Sequence, residues 1–283
     1  MNEQLQRKER ILTGKHGRNF SLDITFSQKH EAAPVVIFSH GFKGFKDWGP
    51  FNEIASHFAE AGFVFVKYNF AFNGTTPENP IDFTDLEAFG QNNFSKELDD
   101  LEVVLDYLHN NSLEFKADIS RISLIGHSRG GGISILKGAE DHRINSVVTW
   151  ASVAEFARHV TKPEIKVWKE KGVLLIENTR TNQMMPLYIQ LYDDYIRNHR
   201  RFNIRNAVRN LSKPLLIIHG TDDDTVPFAH AVELQQLSSN RAALIRIDGG
   251  GHTFGAAHPH TSGSLTKHFY EVLNETILFL KSL

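Results

Sequence analysis

Hydrophobic and polar positions along this chain follow two periods, and the periods alternate. Residues 20–26 set Phe20, Leu22, Ile24 and Phe26 against Ser21, Asp23 and Thr25, which predicts an antiparallel strand with one face buried and one in water. Residues 35–38 and 63–70 are apolar runs without that alternation, predicting strands covered on both faces. Between them, residues 51–61 carry Phe51, Ile54, Ala55 and Phe58 at helical spacing and stop at Gly62, a good helix terminator. After a long polar connection, Leu98, Leu101, Val104, Leu105 and Leu108 mark an amphipathic helix over residues 94–108. Strands at 119–125 and 146–150 follow, with helix-compatible sequence between them. Strand and helix alternating at this spacing predict βαβ units, hence an α/β fold: a mostly parallel sheet with helices on both faces.

From Ala151 the rhythm breaks. Residues 151–213 hold one strand-like run at 173–176 and two expected helices, near 184–198 and 203–211. The rhythm resumes with a strand at 214–220, a helix at 229–237, a strand at 242–247, a glycine-rich turn and a final helix near 265–280. The expected organisation is a core of residues 1–150 and 214–283, with 151–213 inserted as a lid. Ligands of open α/β sheets bind at the carboxyl ends of the strands, where such an insertion would lie.

Composition narrows the chemistry. Across 283 residues, 41% are hydrophobic and 23% charged, an ordinary globular balance. The net charge of −2 gives no reason to expect a nucleic-acid partner. With no cysteine there is no disulfide, thiolate nucleophile or thiolate metal site. The polar amino terminus lacks the apolar region of a signal peptide, and no apolar run approaches a membrane span of roughly 18 residues, so the expectation is a soluble, cytoplasmic chain. Nothing in the sequence sets the oligomeric state.

The most informative stretch is Gly126-His127-Ser128-Arg129-Gly130, at the end of a strand and the start of a helix. A G-x-S-x-G pattern in that context places the serine on a sharp turn that lifts its Oγ clear of the sheet; the glycines are needed because a side chain there would collide with its neighbours. Ser128 is the candidate nucleophile. A serine hydroxyl needs an imidazole to take its proton, and that imidazole needs a carboxylate to fix its tautomer. His127 adjoins Ser128 in sequence, but on such a turn its side chain points away. The better base is His252, on a loop that Gly249, Gly250 and Gly251 leave free to approach the turn. The acid belongs among Asp222, Asp223 and Asp224; spacing favours Asp223, with Asp222 as the fallback. Arg129, opening the following helix, offers an unpaired backbone N–H at the positive end of the helix dipole, suited to a developing oxyanion.

Over nearly its whole length the chain resembles the α/β-hydrolase superfamily. Four motifs carry the resemblance: Ser39-His40-Gly41-Phe42, the Gly126–Gly130 turn, His219-Gly220 through Val226-Pro227, and Gly249-Gly250-Gly251-His252. It implies the order Ser128, Asp223, His252, an acid at Asp223, and an oxyanion hole from the N–H groups of Phe42 and Arg129. It also implies a cofactor-independent serine hydrolase. Within the superfamily the chain is most similar to lid-bearing bacterial esterases of the cinnamoyl/feruloyl esterase and dienelactone-hydrolase-like groups. Ser128 departs from true dienelactone hydrolases, which use cysteine there.

Substrate selection is expected from the aromatic loop and the insertion. Phe45 and Trp48, with Phe70 and Phe72, follow strand ends and are expected pocket walls; Met184 and Met185 are candidates for the lid's inner face. The insertion holds 12 Lys and Arg against 6 Asp and Glu, while the rest of the chain holds 19 against 27. Arg197, Arg201, Arg205 and Arg209 recur every four residues, a stripe on a continuous helix. From it Arg201 and Arg205 are expected to steer an anionic ester to the site; docking on the acidic core is the alternative. His252, His258, His260 and His268 lack interspersed acidic residues, and His252 is already assigned as the base, so a solvated loop is the reading and no metal is expected. The expected activity is cleavage of small-molecule carboxylic esters through an acyl-enzyme. A thioesterase, a small peptidase or amidase, and a non-catalytic binding protein on the same scaffold are the alternatives.

Overall fold

The computed structural model describes residues 5–156, 162–239 and 241–283. Eight strands form one sheet: β1 (Leu5–Thr13), β2 (Asn19–Ser27), β3 (Ala33–Ser39), β4 (Val64–Tyr68), β5 (Ala117–His127), β6 (Ile144–Trp150), β9 (Leu215–Gly220) and β10 (Ala242–Ile247). Their order is β1-β2-β4-β3-β5-β6-β9-β10. β1 and β2 join antiparallel, and the other six run parallel. Between β6 and β9 lie a helix α5 (Lys162–Lys171), an antiparallel hairpin of β7 (Val173–Asn178) and β8 (Gln183–Tyr188), and helices α6 (Gln190–Arg197) and α7 (Ile204–Asn210).

Helices cover both faces because both faces of the parallel strands are apolar. One layer packs α3 (Phe94–Asn111), α4 (Arg129–Glu140), α7 and α8 (Ala229–Leu237) over Val35, Ile37, Leu124 and Ile217. The other packs α1 (Phe51–Glu60) and α9 (Lys267–Lys281) over Phe38, Ile125, Trp150 and Ile218. Trp150 is fully buried and its indole N–H donates to Thr276 Oγ1 at 3.0 Å, so its one polar atom is satisfied. After a short helix α2 (Leu86–Gly90), α3 starts where Asn93 caps it, its side chain accepting from the Lys96 N–H at 2.9 Å. Among the described residues no helix is long and apolar enough to cross a membrane.

Four local expectations need correction. β2 is not half-buried: Asp23 and Thr25 are as inaccessible as their apolar neighbours. The Asp23 carboxylate meets Lys46 Nζ at 2.7 Å and Lys67 Nζ at 2.6 Å, so a polar residue in the alternating pattern points into a buried ion network. β1 lies in a segment read only as polar; its Arg7, Lys8, Glu9 and Arg10 suit an edge strand, where charge discourages further pairing. The helix expected near 184–198 begins later, because Gln183–Tyr188 pairs with β7 as a strand and only Gln190–Arg197 is helical. α5 was not expected at all; its Lys-rich sequence has few apolar residues to set a period.

Register brings the carboxyl ends of the parallel strands level. Ser39 pairs with Gly126, His127 with Trp150, and Gly220 with Ile247. The loops after β3, β5, β9 and β10 therefore leave the sheet at one edge.

Candidate active site

β5 ends at His127, and Ser128 turns the chain into α4 with φ 55° and ψ −118°. A non-glycine residue in that region stores roughly 1–3 kcal/mol of strain and persists only where its surroundings hold it. Here the Ser128 N–H donates to Trp150 O at 2.9 Å, and Ser128 O accepts from Gly131 N at 3.1 Å and Val153 N at 3.3 Å. The flanking glycines are sterically required. A Cβ on Gly126 would lie 2.1 Å from Gly130 O, and one on Gly130 would lie 2.2 Å from Ser39 O.

The loops after β9 and β10 approach just as closely. A Cβ on Gly220 would lie 2.0 Å from Gly250 O, and the Asp222 N–H donates to that same carbonyl at 3.0 Å. This contact seats Asp223 beside His252. His252 Nδ1 is 2.8 Å from Asp223 Oδ2 and His252 Nε2 is 3.0 Å from Ser128 Oγ. Since the carboxylate can only accept, Nδ1 carries the proton and Nε2 faces the hydroxyl as an acceptor. The second carboxylate oxygen, Oδ1, accepts from Thr225 N at 2.9 Å and Val226 N at 2.7 Å. Burial penalises the Asp223 charge, but hydrogen bonds from His219 and His252 and from the Val226 amide outweigh it and hold the carboxyl well below its usual range. Asp222 and Asp224 are exposed, and among the described residues their side chains accept from the hydroxyls of Thr221 and Thr225.

Two further histidines frame the site. His127 lines the same cavity with its ring 4.8 Å from that of His252, and its Nε2–H donates to the His252 carbonyl at 2.9 Å, tying the loop after β10 to β5. Burial, then the neighbouring His252, pushes His127 down to about 3, so it is a neutral brace. His40 Nδ1–H donates to Gly41 O at 2.9 Å, and its Nε2 accepts from Phe70 N at 3.3 Å. Burial above all pushes it down to about 4. The loop it braces passes beside the nucleophile: a Cβ on Gly41 would lie 3.1 Å from Ser128 Cβ. Farther along the same loop, Lys46 N–H donates to Asn69 Oδ1 at 2.7 Å while its ammonium joins Asp23 and Asp47.

Ser128 and His252 open into a cavity of about 760 Å³. Phe42 and Arg129 line it; Arg129 is the first residue of α4, where backbone N–H groups lack intrahelical partners. The Arg129 guanidinium packs 3.9 Å from the Phe42 ring centroid and meets Glu97 Oε1 at 3.3 Å, joining the loop after β3 to the elbow helix. Trp48 also lines the cavity.

The other expected pocket residues lie elsewhere. Phe45 is fully buried in a small cluster with Phe83, Phe89 and Met185, and serves as packing behind the cavity wall. Met185 is buried in that cluster, while Met184 points outward and is 52% exposed. Phe70 is buried against His40, and Phe72 carries the Lys96 ammonium at 3.9 Å. The arginine stripe does not form, because α6 ends at Arg197 and α7 begins at Ile204. Arg201 is bound to both oxygens of Glu140, at 2.8 and 3.0 Å, and Arg205 to Glu155 and Glu233. Neither lines the cavity: Glu140 and Glu233 of the core, with Glu155 of the insertion itself, hold these two arginines. In their place the inserted segment presents Phe156, Ile176, Asn178, Thr179 and Arg180. Lys43 and His258 complete the polar wall, so His258 is not a solvated loop residue. Ile176 and Asn178 lie on β7, whereas no period marks Phe156, Thr179, Arg180, Lys43 or His258, which sit in turns and irregular loops.

Comparison with known proteins agrees with this architecture. The family model BD-FAE matches residues 22–237. A Mycoplasma pneumoniae protein whose name assigns it provisionally to the esterase/lipases is 23% identical over 246 residues, 79% of this chain and 84% of that protein. Est1E from Butyrivibrio proteoclasticus superposes with a TM-score of 0.68 at 17% identity, covering 97% of this chain and 98% of its own; a structure of Est1E with ferulic acid is also known. The α/β hydrolase GrgF from Penicillium sp. sh18 superposes at 0.72 with 17% identity, covering 98% of both chains. With the family model spanning most of the core, this chain belongs to the BD-FAE family and is an esterase-type α/β-hydrolase.

Proposed function

We propose that this chain is a serine carboxylesterase working through an acyl-enzyme, with Ser128 as nucleophile, His252 as general base and acid, and Asp223 as the group that orients His252. The observation that carries this reading is the hydrogen-bonded chain from Oγ through Nε2 and Nδ1 to Oδ2, with steps of 3.0 and 2.8 Å, opening on the cavity. Ser128 Oγ attacks the ester carbonyl while its proton passes to His252 Nε2. The imidazolium so formed is stabilised by Asp223 and returns the proton to the departing alkoxide. Water, deprotonated by the same nitrogen, then releases the acid and restores Ser128. The backbone N–H groups of Phe42 and Arg129 are the proposed oxyanion donors; removing one such donor typically lowers kcat by about 10²–10³. The inserted segment, residues 151–213, acts as the lid that shapes the cavity above Ser128.

A fluorophosphonate probe with a fluorescent tag tests the nucleophile under native conditions. Wild type labels on Ser128 and Ser128→Ala does not. An unlabelled wild type, or equal labelling of the two, overturns the reading.

A further inference from the structure

The cavity lining carries charge that the hydrolytic chemistry does not use. Of its cations, Arg129 is bound to Glu97, and Lys43 Nζ donates to the Glu177 carbonyl at 3.1 Å and feels the Glu177 charge. Its carboxylate, Glu155, is bound to Arg205. Arg180 differs. It stands in the turn between β7 and β8, and among the described residues its guanidinium contacts are the faces of Phe45 and Phe83, at 5.3 and 5.7 Å from the ring centroids. No carboxylate of a described residue pairs with it. Aromatic faces accept no conventional hydrogen bond from a guanidinium, so its N–H groups stay available to a carboxylate, which it matches in two-point geometry.

His258 stands beside it. The Gly49 N–H donates to His258 Nδ1 at 3.1 Å, so the neutral ring carries its proton on Nε2 and has a donor to offer. The ring is edge-on to Phe45 at 4.9 Å and stacked along Trp48 at 6.4 Å, which fixes its plane. Burial, then the charge of Arg180, holds His258 below the ordinary imidazole range, so near neutral pH it remains a neutral donor. The turn that carries Arg180 is itself anchored. Gln183 Nε2 donates to Phe83 O at 3.0 Å, and Met185 is buried with Phe45 and Phe83.

We propose that Arg180 and His258 form a carboxylate subsite in the cavity, so that preferred substrates are esters bearing a free carboxylate away from the scissile bond. This rests on the esterase reading and names its substrate class. It also relocates the selection of anions from Arg201 and Arg205, which Glu140, Glu155 and Glu233 neutralise, to a cation that has aromatic faces but, among the described residues, no acid.

The test compares two substrates of one shape: the 4-nitrophenyl monoester of glutaric acid and its methyl-capped, uncharged counterpart. The readout is the ratio of their kcat/KM values. Arg180→Gln is expected to lower that ratio by about tenfold or more, as for a lost charge-assisted hydrogen bond. Arg180→Lys retains part of it, and Arg201→Gln leaves it unchanged. A ratio within about twofold of wild type in Arg180→Gln overturns the subsite while leaving the esterase reading intact. Glutarate titrated calorimetrically into Ser128→Ala gives an answer that needs no turnover. Binding that weakens when Arg180→Gln is added supports the subsite even if neither ester is hydrolysed, an outcome that would sink only the esterase reading. Equal glutarate binding with and without Arg180, or none, removes the subsite.

Discussion

Replacing Asp223 by asparagine should disable this site by turning one side chain around within an otherwise intact loop. The side chain is gripped from two sides. Oδ1 accepts from the Thr225 and Val226 amides at 2.9 and 2.7 Å, and Oδ2 faces His252 Nδ1 at 2.8 Å. In Asp223→Asn only the carbonyl oxygen can satisfy the two backbone donors, so it takes the Oδ1 position. The NH₂ group is then forced towards His252 Nδ1, which must give up its proton to accept from it. The imidazole proton moves to Nε2, the nitrogen 3.0 Å from Ser128 Oγ, and a protonated nitrogen cannot take the serine proton. For a triad held in the wrong tautomer the expected loss is about 10⁴ in kcat, or roughly 5 kcal/mol of transition-state stabilisation. KM should change little, because Asp223 does not line the cavity. The assay is steady-state hydrolysis of a 4-nitrophenyl ester, with thermal unfolding as the control for folding. Asp222→Asn, at an exposed position whose side chain accepts from Thr221 Oγ1, should stay within about twofold of wild type. If Asp223→Asn keeps a tenth or more of wild-type kcat, the tautomer argument is wrong. If Asp222→Asn is the damaged variant, the acid has been misassigned.

Two further outcomes follow from the same geometry. Gly130→Ala drives a Cβ to 2.2 Å from the Ser39 carbonyl, a backbone atom held in β3, so the elbow must shift; the expected cost is about 1–3 kcal/mol in urea unfolding, together with loss of fluorophosphonate labelling. A folded, fully labelled variant would refute the packing argument. Asp47 is opposed by burial, but Lys67 and Lys46 outweigh it and hold the carboxyl down to about 2 from its usual 3.8. A depressed folded pKa means the stabilisation is present above the unfolded value and lost as pH falls. Between about pH 4 and pH 2, wild type should therefore lose about 2 kcal/mol more than Asp47→Asn. Parallel acid-unfolding curves for the two proteins would show that Asp47 carries no such linkage.

Much of the candidate site was legible in the chain itself. Gly126 and Gly130 flank Ser128 because no Cβ fits against Gly130 O and Ser39 O, and that steric demand is local enough to appear as a five-residue pattern. Ser128, Asp223 and His252 follow strands that the apolar runs identify, and strands of one parallel sheet end at one edge. Their convergence therefore follows from the βαβ rhythm together with glycines at 220, 250 and 251 that let two loops touch. Local periodicity gave the layers for the same reason, since it reports which face of an element avoids water.

Other features were decided only by tertiary structure. Aromatic type and a position after a strand end could not separate Phe42 and Trp48, which line the cavity, from Phe45, which packs behind it. Orientation in a loop is set by its neighbours, here Phe83, Phe89 and Met185. The charge of the insertion was visible, but not that Glu140, Glu155 and Glu233, all outside its helices, would neutralise Arg201 and Arg205. Asp23 alternates as a solvent-facing residue would, but Lys46 and Lys67, 23 and 44 positions away, bind its carboxylate. Arg180 sits in a turn with no period to betray it, and its role depends on which acids fail to reach it. Sequence thus determines chemistry that backbone sterics and strand order impose; pairing and pocket lining arise from contacts between distant segments, and those exist only once the chain has folded.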